Sequence, residues 1–152
     1  MWRYLVLALL FASHLAKAQD ISVVKKLSFG TIAIIDQNIA GTVTIEPNVR
    51  PQTSSNILFV EFGHAAEILL TDFPHNRQIS VQSTIYNDWF GYWNLGASDA
   101  FQLTELYHEK AIYTNSVGSG EFKVGGQLRF AGNGKSLSDG VQTLNVEITL
   151  SY

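Results

Sequence analysis

A short aromatic segment, residues 86–94, is the part of the sequence whose residue types come closest to those of a binding site. Aromatic rings stack on the apolar faces of sugars, and neighbouring amide and carboxylate groups can bond to sugar hydroxyls. The same rings also suit a protein core or a subunit interface, because aromatic side chains bury large areas. Both interpretations stay open, and the candidate carbohydrate-binding residues are Tyr86, Trp89, Tyr92, Trp93 and Asn94.

A second candidate site is a short apolar segment, Ile21, Val23 and Val24, which precedes the first long β-run. A segment of this kind can add a strand to an open sheet edge of a neighbouring subunit, where backbone hydrogen bonds and alternate side chains join the chains. The alternative is that residues 19–26 form the first strand of their own sheet. The candidate partners are therefore further copies of the chain, other surface subunits and, through the aromatic segment, carbohydrate.

Common motifs of catalytic and metal sites are missing from the sequence. Gly134-Lys135-Ser136 has Arg129 where a phosphate-binding loop requires its first glycine, and the Gly-x-Ser-x-Gly motif of hydrolases is absent. Three histidines, His64, His75 and His108, are too widely spaced to predict a metal site. The chain has no cysteine, which excludes thiol catalysis and thiolate ligands. We therefore predict no enzyme activity, cofactor or metal.

The first 18 residues have the layout of a secretory signal peptide. Arg3 gives a basic start, residues 4–15 are almost entirely apolar, and Ala16-Lys17-Ala18 matches the small-x-small cleavage pattern. The apolar run is too short for a membrane-spanning helix, which needs roughly 20 apolar residues. We expect cleavage after Ala18, a single mature domain at residues 19–152 without a transmembrane helix, and export to the periplasm, the cell surface or the medium.

Charge and length narrow the function classes further. The full chain has 152 residues and a formal net charge of −3, which falls to −5 when Arg3 and Lys17 leave with the signal peptide. The remaining basic residues are scattered, so the sequence does not predict binding to nucleic acid. A mature chain of this length suits one domain that can bury a core without disulfides.

Short β-strands joined by turns are expected along the whole mature chain. Alternating apolar residues and turn residues predict strands at 27–35, 41–46, 57–62, 65–70, 79–85, 122–130 and 144–152. A break is expected at Gly63-His64, and a bulge or sharp bend at Gly125-Gly126. Residues 100–113 fit a short helix or a strand. The spacing of the strands predicts an all-β, antiparallel β-sandwich.

Several of these pieces, in their order along the chain, resemble a bacterial family of exported domains of unknown function that is related in architecture to fimbrial subunits. The resemblance implies an immunoglobulin-like sandwich and a structural or adhesive role. Two features depart from the pattern: many fimbrial subunits hold a disulfide, and residues 86–93 have no counterpart. The matching pieces are residues 27–30, 41–45, 65–68 with Phe73-Pro74, 124–128 and 146–152.

The leading expectation is therefore an exported structural or adhesive protein of the cell surface, such as a fimbrial (pilus) subunit joined by strand addition. One alternative is a periplasmic or secreted carbohydrate-binding module that uses the aromatic segment. Another is a small outer-membrane barrel, but such a barrel needs about eight alternating segments of roughly ten residues, and the sequence has only two or three convincing ones.

Overall fold

A computed structural model of the chain describes residues 18–86, 89–90, 100–135, 137 and 139–152. Every regular element in these residues is a β-strand. The strands are β1 (Asp20–Lys25), β2 (Ser28–Ile34), β3 (Gly41–Ile45), β4 (Gln52–Thr53), β5 (Ile57–His64), β6 (Ala66–Thr71), β7 (Gln78–Thr84), β8 (Trp89–Phe90), β9 (Phe101–His108), β10 (Ala111–Tyr113), β11 (Gly120–Phe130) and β12 (Glu147–Ser151).

The strands form three antiparallel sheets arranged as a sandwich, which confirms the predicted fold class. The largest sheet has seven strands and contains β1, β6, β11, β3 and β4, with β9 and β8 attached beside β11. A three-stranded sheet has the order β10-β7-β12, and β2 pairs with β5 in a two-stranded sheet. The segment that fitted a helix or a strand forms β9 and β10, because β9 pairs with β11 along its whole length.

Strand β11 is the centre of the large sheet. Val124 lies opposite both Ala66 of β6 and His108 of β9, whereas Gly126 lies opposite Ile45 of β3 and Leu106 of β9. Since a strand residue has one neighbour on each side, β6 and β3 must follow one another along the same edge of β11. The change of partner falls at Gly125.

Gly125 is required at this point because the backbone of β3 approaches it closely. A Cβ atom built on Gly125 would lie 2.0 Å from the carbonyl oxygen of Ile45, a distance that no side chain tolerates. No bulge lies at Gly125-Gly126, where one was predicted. The ladder with β9 is irregular two residues later, between Gln127 and Leu128. The glycine pair therefore permits close approach of a neighbouring strand.

Two clusters of buried apolar residues lie on either side of this change of partner. The first is built on β6, β7, β10 and the first half of β11, and includes Leu70, Ile79 and Phe122. The second is built on β3, β5 and the second half of β11, and includes Ile45 and Phe130. Leu27, between β1 and β2, packs against both clusters.

One long antiparallel ribbon runs across both parts of the sandwich. Its first arm is β1 followed by β2, and its second arm is β5 followed by β6, so that β1 pairs with β6 and β2 with β5. The register shifts by one residue at two places: Val24 is an extra residue in β1, and Val60 is an extra residue in β5. Because the bulges lie on opposite arms, their shifts cancel and the pairing at both ends of the ribbon has the same register.

The predicted break at Gly63-His64 is wrong, since β5 continues through His64. A Cβ atom on Gly63 would lie 2.2 Å from the carbonyl oxygen of Ser28, so glycine here permits close contact between the two arms. The predicted strand at 144–152 is shorter than expected, because only residues 147–151 pair with β7. Alternation of apolar residues before Glu147 therefore does not extend the ladder.

A buried asparagine fixes the loop after β2 to the end of the ribbon. The Asn56 side chain is 6% exposed, accepts a hydrogen bond from the Asp36 backbone N–H at 2.9 Å and donates to the carbonyl oxygens of Asp36 and Ile39. The carboxylate of Asp36 accepts bonds from the backbone and side-chain N–H groups of Asn38. The two side chains together satisfy the polar backbone groups of this turn.

The two ends of the described chain meet at one side of the sandwich. The side-chain amide of Gln19, next to β1, donates a hydrogen bond of 2.5 Å to the hydroxyl of Tyr152, next to β12. The ring of Tyr152 in turn packs edge-on against Phe73, with 6.1 Å between the ring centroids. This contact joins the edge of the large sheet to the edge of the three-stranded sheet.

Candidate functional site

Strand β1 is an edge strand of the large sheet. It pairs with β6 of its own chain. This corresponds to the alternative in which residues 19–26 form the first strand of their own sheet. Within the described part of the chain β1 has no other ladder partner, so its second edge is open. An open edge presents unpaired backbone N–H and C=O groups that can pair with another strand.

The side of β1 that faces the core is left uncovered. Ile21 lies directly opposite Leu70, and Val23 lies opposite Ile68, so each pair shares one face of the sheet. Leu70 is fully buried and Ile68 nearly so, but Ile21 and Val23 remain 52% and 58% exposed. The large sheet therefore extends beyond the sheet that covers it, and the inner face of β1 is apolar and accessible.

We call Ile21, Val23 and Val24 the β1 patch. Val24 is the extra residue of the bulge, and its side chain is 65% exposed. A bulge and flanking lysines are features that commonly restrain edge pairing, and Lys25 and Lys26 follow the patch directly. Lys25 lies opposite Glu67 of β6, and Asp20 marks the other end of the strand. The patch is thus an apolar stretch with an acid at its start and two bases at its end.

Exposed apolar side chains also occur at the far end of the ribbon, on both faces of β5: the Phe62 ring packs against the Phe59 ring with 5.1 Å between centroids, whereas Leu58 lies on the opposite face. Leu58, Val60 and Phe62 are each more than half exposed, and we call them the ribbon patch. Val60 is the extra residue of the second bulge and is 66% exposed, almost the same as Val24. In the described residues neither β2 nor β5 pairs with a third strand, so this half of the ribbon has unpaired edges.

Two charged groups accompany the ribbon patch. Glu61 lies between Val60 and Phe62 in the sequence. Its carboxylate accepts a hydrogen bond of 3.2 Å from the Thr31 hydroxyl. The guanidinium carbon of Arg50 lies 5.2 Å from the centroid of the Phe62 ring, which is within the range of a cation–π contact. Neither group covers Leu58 or Val60, which remain accessible apolar surface.

A groove of about 320 Å³ lies on the face of the large sheet opposite the core, so Val24, which lines it, is on the other face of the sheet from Ile21 and Val23. Val24, Leu69 and three glutamates line it, together with Lys123, whose ammonium donates a hydrogen bond of 3.0 Å to the Asn48 side chain. Glu67 lies opposite Lys25 on one neighbouring strand and opposite Lys123 on the other. The groove is a charged surface that offers no group of metal ligands.

The aromatic segment is described only in part. Trp89 lies in β8, which pairs with β9, and Tyr86 is an exposed residue before it. A hydrogen bond to the carboxylate of Glu147, with the negative charge of that group, raises the pKa of Tyr86. Tyr92, Trp93 and Asn94 lie outside the described residues. Carbohydrate binding by this segment therefore stays a prediction.

The histidines of the described residues lie in three different elements of the fold. His64 ends β5, His75 lies in the turn before β7, and His108 ends β9, where its Nε2 lies 2.9 Å from the Ser83 hydroxyl. The described ranges contain no group of three or more His, Cys, Asp or Glu residues placed to hold a metal ion. They also contain no helix of sufficient length and apolar character to cross a membrane.

Sequence reasoning identified the residues of the β1 patch but missed the ribbon patch. The apolar run from Ile57 to Phe62 predicts an ordinary strand, and such a run is typical of a strand buried on both faces. The signal that could have suggested exposure is Glu61, a charge inside the apolar run. A single charge in the run does not distinguish a strand of a two-stranded sheet from an edge strand of a larger one.

Comparison with known proteins gives a family but no described relative. Neither the curated proteins nor the solved structures contain a significant match to the chain. The family model described as "Domain of unknown function (DUF4402)" matches residues 20–152, which begins at the first residue of β1 and includes every strand of the sandwich. This protein, an all-β sandwich in which the described β1 is an edge strand, therefore belongs to the DUF4402 family.

Proposed function

We propose that the chain is an exported structural or adhesive protein of the bacterial surface, a fimbrial-type subunit whose copies join through the open edge of β1. The observation that carries the proposal is the exposure of Ile21 and Val23, which share a face with the buried residues Leu70 and Ile68. An apolar sheet face that its own fold leaves uncovered is suited to burial by another chain.

The backbone of β1 supports the same role. A strand that already lies in its sheet, with one edge open, presents its hydrogen-bonding groups in the extended geometry that strand addition needs. Affinity in this mode comes from main-chain bonds, and alternate side chains provide specificity. Residues 20–23 of β1, which precede the bulge at Val24, are thus preorganised for a neighbouring strand.

Electron microscopy with a labelled antibody on the sheared surface fraction of native cells tests this proposal. We expect label along filaments for the natural chain and no filaments for Val23→Lys, because a charge facing inward on an edge strand opposes pairing. The matched control is Val141→Lys, since Val141 is 93% exposed and lies outside every strand. Label confined to the periplasm or the medium, without filaments, would contradict the proposal.

Carbohydrate binding is a second candidate function, favoured by the exposed ring of Tyr86 and the position of Trp89 on a short strand beside β9. A glycan array with the natural chain and with Trp89→Ala and Trp93→Ala tests it. Binding that both variants lose would support a ligand site in the aromatic segment. Equal signals from all three proteins would remove the segment from consideration.

A further inference from the structure

Gln19 is the residue that cleavage after Ala18 would place at the start of the mature chain. It is exposed and precedes the ladder, since the pairing of β1 with β6 begins at Asp20 and Thr71. Chemistry at its backbone nitrogen therefore leaves the described ladder intact. Its side-chain amide nitrogen donates a hydrogen bond of 2.5 Å to the hydroxyl of Tyr152. A glutamine at a free amino end carries a nucleophile and an electrophile in the same residue.

We propose that Gln19 is a modification site, at which the mature chain closes to a pyroglutamyl end. This inference rests on the proposed function, because only an exported chain loses its leader after Ala18. The unprotonated α-amino nitrogen attacks the side-chain carbonyl carbon, Cδ, and forms a five-membered lactam. The bond from Cδ to Nε2 breaks, and Nε2 leaves as ammonia with the proton that the α-amine gives up. The reaction is neither an oxidation nor a reduction, and it needs no second substrate.

The chemistry of a free amino end favours this reaction. An α-amino group titrates close to neutral pH, so part of it is the unprotonated nucleophile in the periplasm or the medium. The nucleophile and the amide carbon belong to one residue, and attack within one molecule has a high effective concentration. Because Gln19 is exposed and lies outside the ladder, its side chain has room to fold back onto its own nitrogen.

The contact with Tyr152 opposes closure of the ring. Nε2 is both the donor to the Tyr152 hydroxyl and the leaving group, so the hydrogen bond exists before closure and is lost with the ammonia. The side chain must leave Tyr152 and fold back onto its own α-nitrogen before the ring closes. Tyr152 is also held in place by another contact, since its ring packs edge-on against Phe73 with 6.1 Å between the centroids. Gln19 is thus kept open by a contact that closure destroys.

Closure also changes the charge at the start of the edge strand. The α-ammonium disappears, and the lactam that replaces it is neutral. The lost charge lies one residue before Asp20, whose carboxylate keeps a donor of its own, the Ser22 hydroxyl at 3.2 Å. Since a charge loses solvation when it is covered, a neutral end makes it easier for a neighbouring strand to cover this edge. The modification therefore suits the strand addition that the proposed function requires.

The intact mass of the chain, exported from cells that express the full sequence, tests the modification. After storage to constant mass we expect the mass of residues 19–152 less one ammonia, with the loss located at Gln19 by fragmentation of the first peptide. Gln19→Glu is the matched variant, because it keeps the length of the side chain but has no amide nitrogen to release. Its mass should be that of the open chain. A processed natural chain that keeps its amide nitrogen and a free α-amine would overturn the inference.

The same masses separate this inference from the proposed function. A chain that retains residues 1–18 would contradict export and overturn both. A processed chain with an open Gln19 rejects only the modification, and filaments on the cells would leave the proposed function standing. A closed Gln19 on a chain found only in the periplasm, without filaments, would do the reverse.

The rate of closure tests the part that Tyr152 plays. A protease that leaves Gln19 as the first residue releases the mature chain in vitro, and the loss of ammonia is followed by mass from that moment. Tyr152→Phe keeps the ring beside Phe73 but removes the hydroxyl, so we expect it to close about two to ten times faster than the natural chain. Tyr113→Phe is the control and should match the natural chain, since Tyr113 is 72% exposed and its hydroxyl donates to Gln78. Equal rates for Tyr152→Phe and the natural chain would overturn the role of the contact.

Discussion

The two halves of the ribbon share one pairing but differ in their surroundings. At one end β1 pairs with β6, and β6 is itself paired with β11, so Leu70 is completely buried. At the other end β2 pairs with β5, where Ile57 faces the second core cluster and is fully buried, whereas Leu58 faces the other side and stays more than half exposed. Exposure of an apolar strand residue is therefore decided by its face and by what covers that face.

The two halves of the ribbon are also anchored to the rest of the protein in different ways. Phe29, Ile32, Ile34 and Phe59 of the two-stranded end pack against the second core cluster, so that end is anchored through one face. The β1 end is anchored through backbone pairing to β6, while its inner face extends past the covering sheet. The two-stranded end is thus anchored by side-chain packing. The β1 end is anchored by backbone hydrogen bonds to β6, and its inner face is exposed. In the described residues both ends have an unpaired edge.

Gly125, where β11 changes its partner from β6 to β3, should be the position most sensitive to substitution. Gly125→Ala places a methyl group 2.0 Å from the Ile45 carbonyl oxygen and should cost more than about 4 kcal/mol, enough to prevent folding. Gly126→Ala is the matched control, since its nearest contact, the Glu105 carbonyl oxygen, is 3.1 Å away. We expect a cost of about 1–3 kcal/mol there. Urea unfolding of both variants measures the difference, and equal stabilities would show that β3 and β11 separate easily.

Truncations within each half sharpen the comparison. Leu70→Ala and Ile57→Ala remove fully buried side chains from the two ends of the ribbon and should each cost about 2–5 kcal/mol. Their neighbours Leu69 and Leu58 are exposed by 36% and 56%, so the corresponding alanine variants should cost about 1 kcal/mol or less. Chemical denaturation gives all four values. A cost for Leu58→Ala near that of Ile57→Ala would mean that the ribbon patch is already covered within one copy.

The smallest expected effect is a pH dependence at the two-stranded end. Hydrogen bonds from the backbone and side chain of Asn38 hold the pKa of Asp36 below its usual value. A lowered folded-state pKa stabilises the fold above the unfolded-state pKa of about 4, and the contribution is lost as pH falls through the folded-state value. Melting temperatures at pH 6, 4 and 3 should therefore fall slightly more for the natural chain than for Asp36→Asn. Parallel curves would show that these bonds do not favour the charged carboxylate.

The positions of most strands could be predicted from the sequence, because alternation of apolar and polar residues is a local property. Val43 and Ile45 alternate with threonines and form β3 as expected. The pairing of the strands could not be predicted. Nothing in residues 20–34 indicates that they pair with residues 57–71, or that this ladder contains two bulges whose register shifts cancel. The tight approaches at Gly63 and Gly125 depend on that pairing, so glycines that suggest breaks in the sequence lie inside continuous strands.

The candidate site was predictable to a similar extent. Ile21, Val23 and Val24 were recognisable as an apolar segment, but their exposure depends on where the covering sheet ends, which involves β7, β10 and β12 from distant parts of the chain. The exposure of Leu58 depends on which face of β5 packs against the second core cluster, a property of the whole topology. Local patterns identified residues that can form an interface, and tertiary arrangement determined which of them face solvent.

The contact between Gln19 and Tyr152 has a practical consequence for anyone who attaches a reporter to this protein. In a chain that is cut after Ala18, both ends would emerge beside β1, so a fluorescent protein fused to either end would stand next to the proposed interface and obstruct it. The proximity of Gln19 and Tyr152 also makes a circular permutant feasible, with a short linker from Tyr152 to Gln19 and new ends opened at Val141, which is 93% exposed and lies outside the strands. In that permuted chain the reporter would leave from a different part of the molecule, and the edge strand would stay accessible.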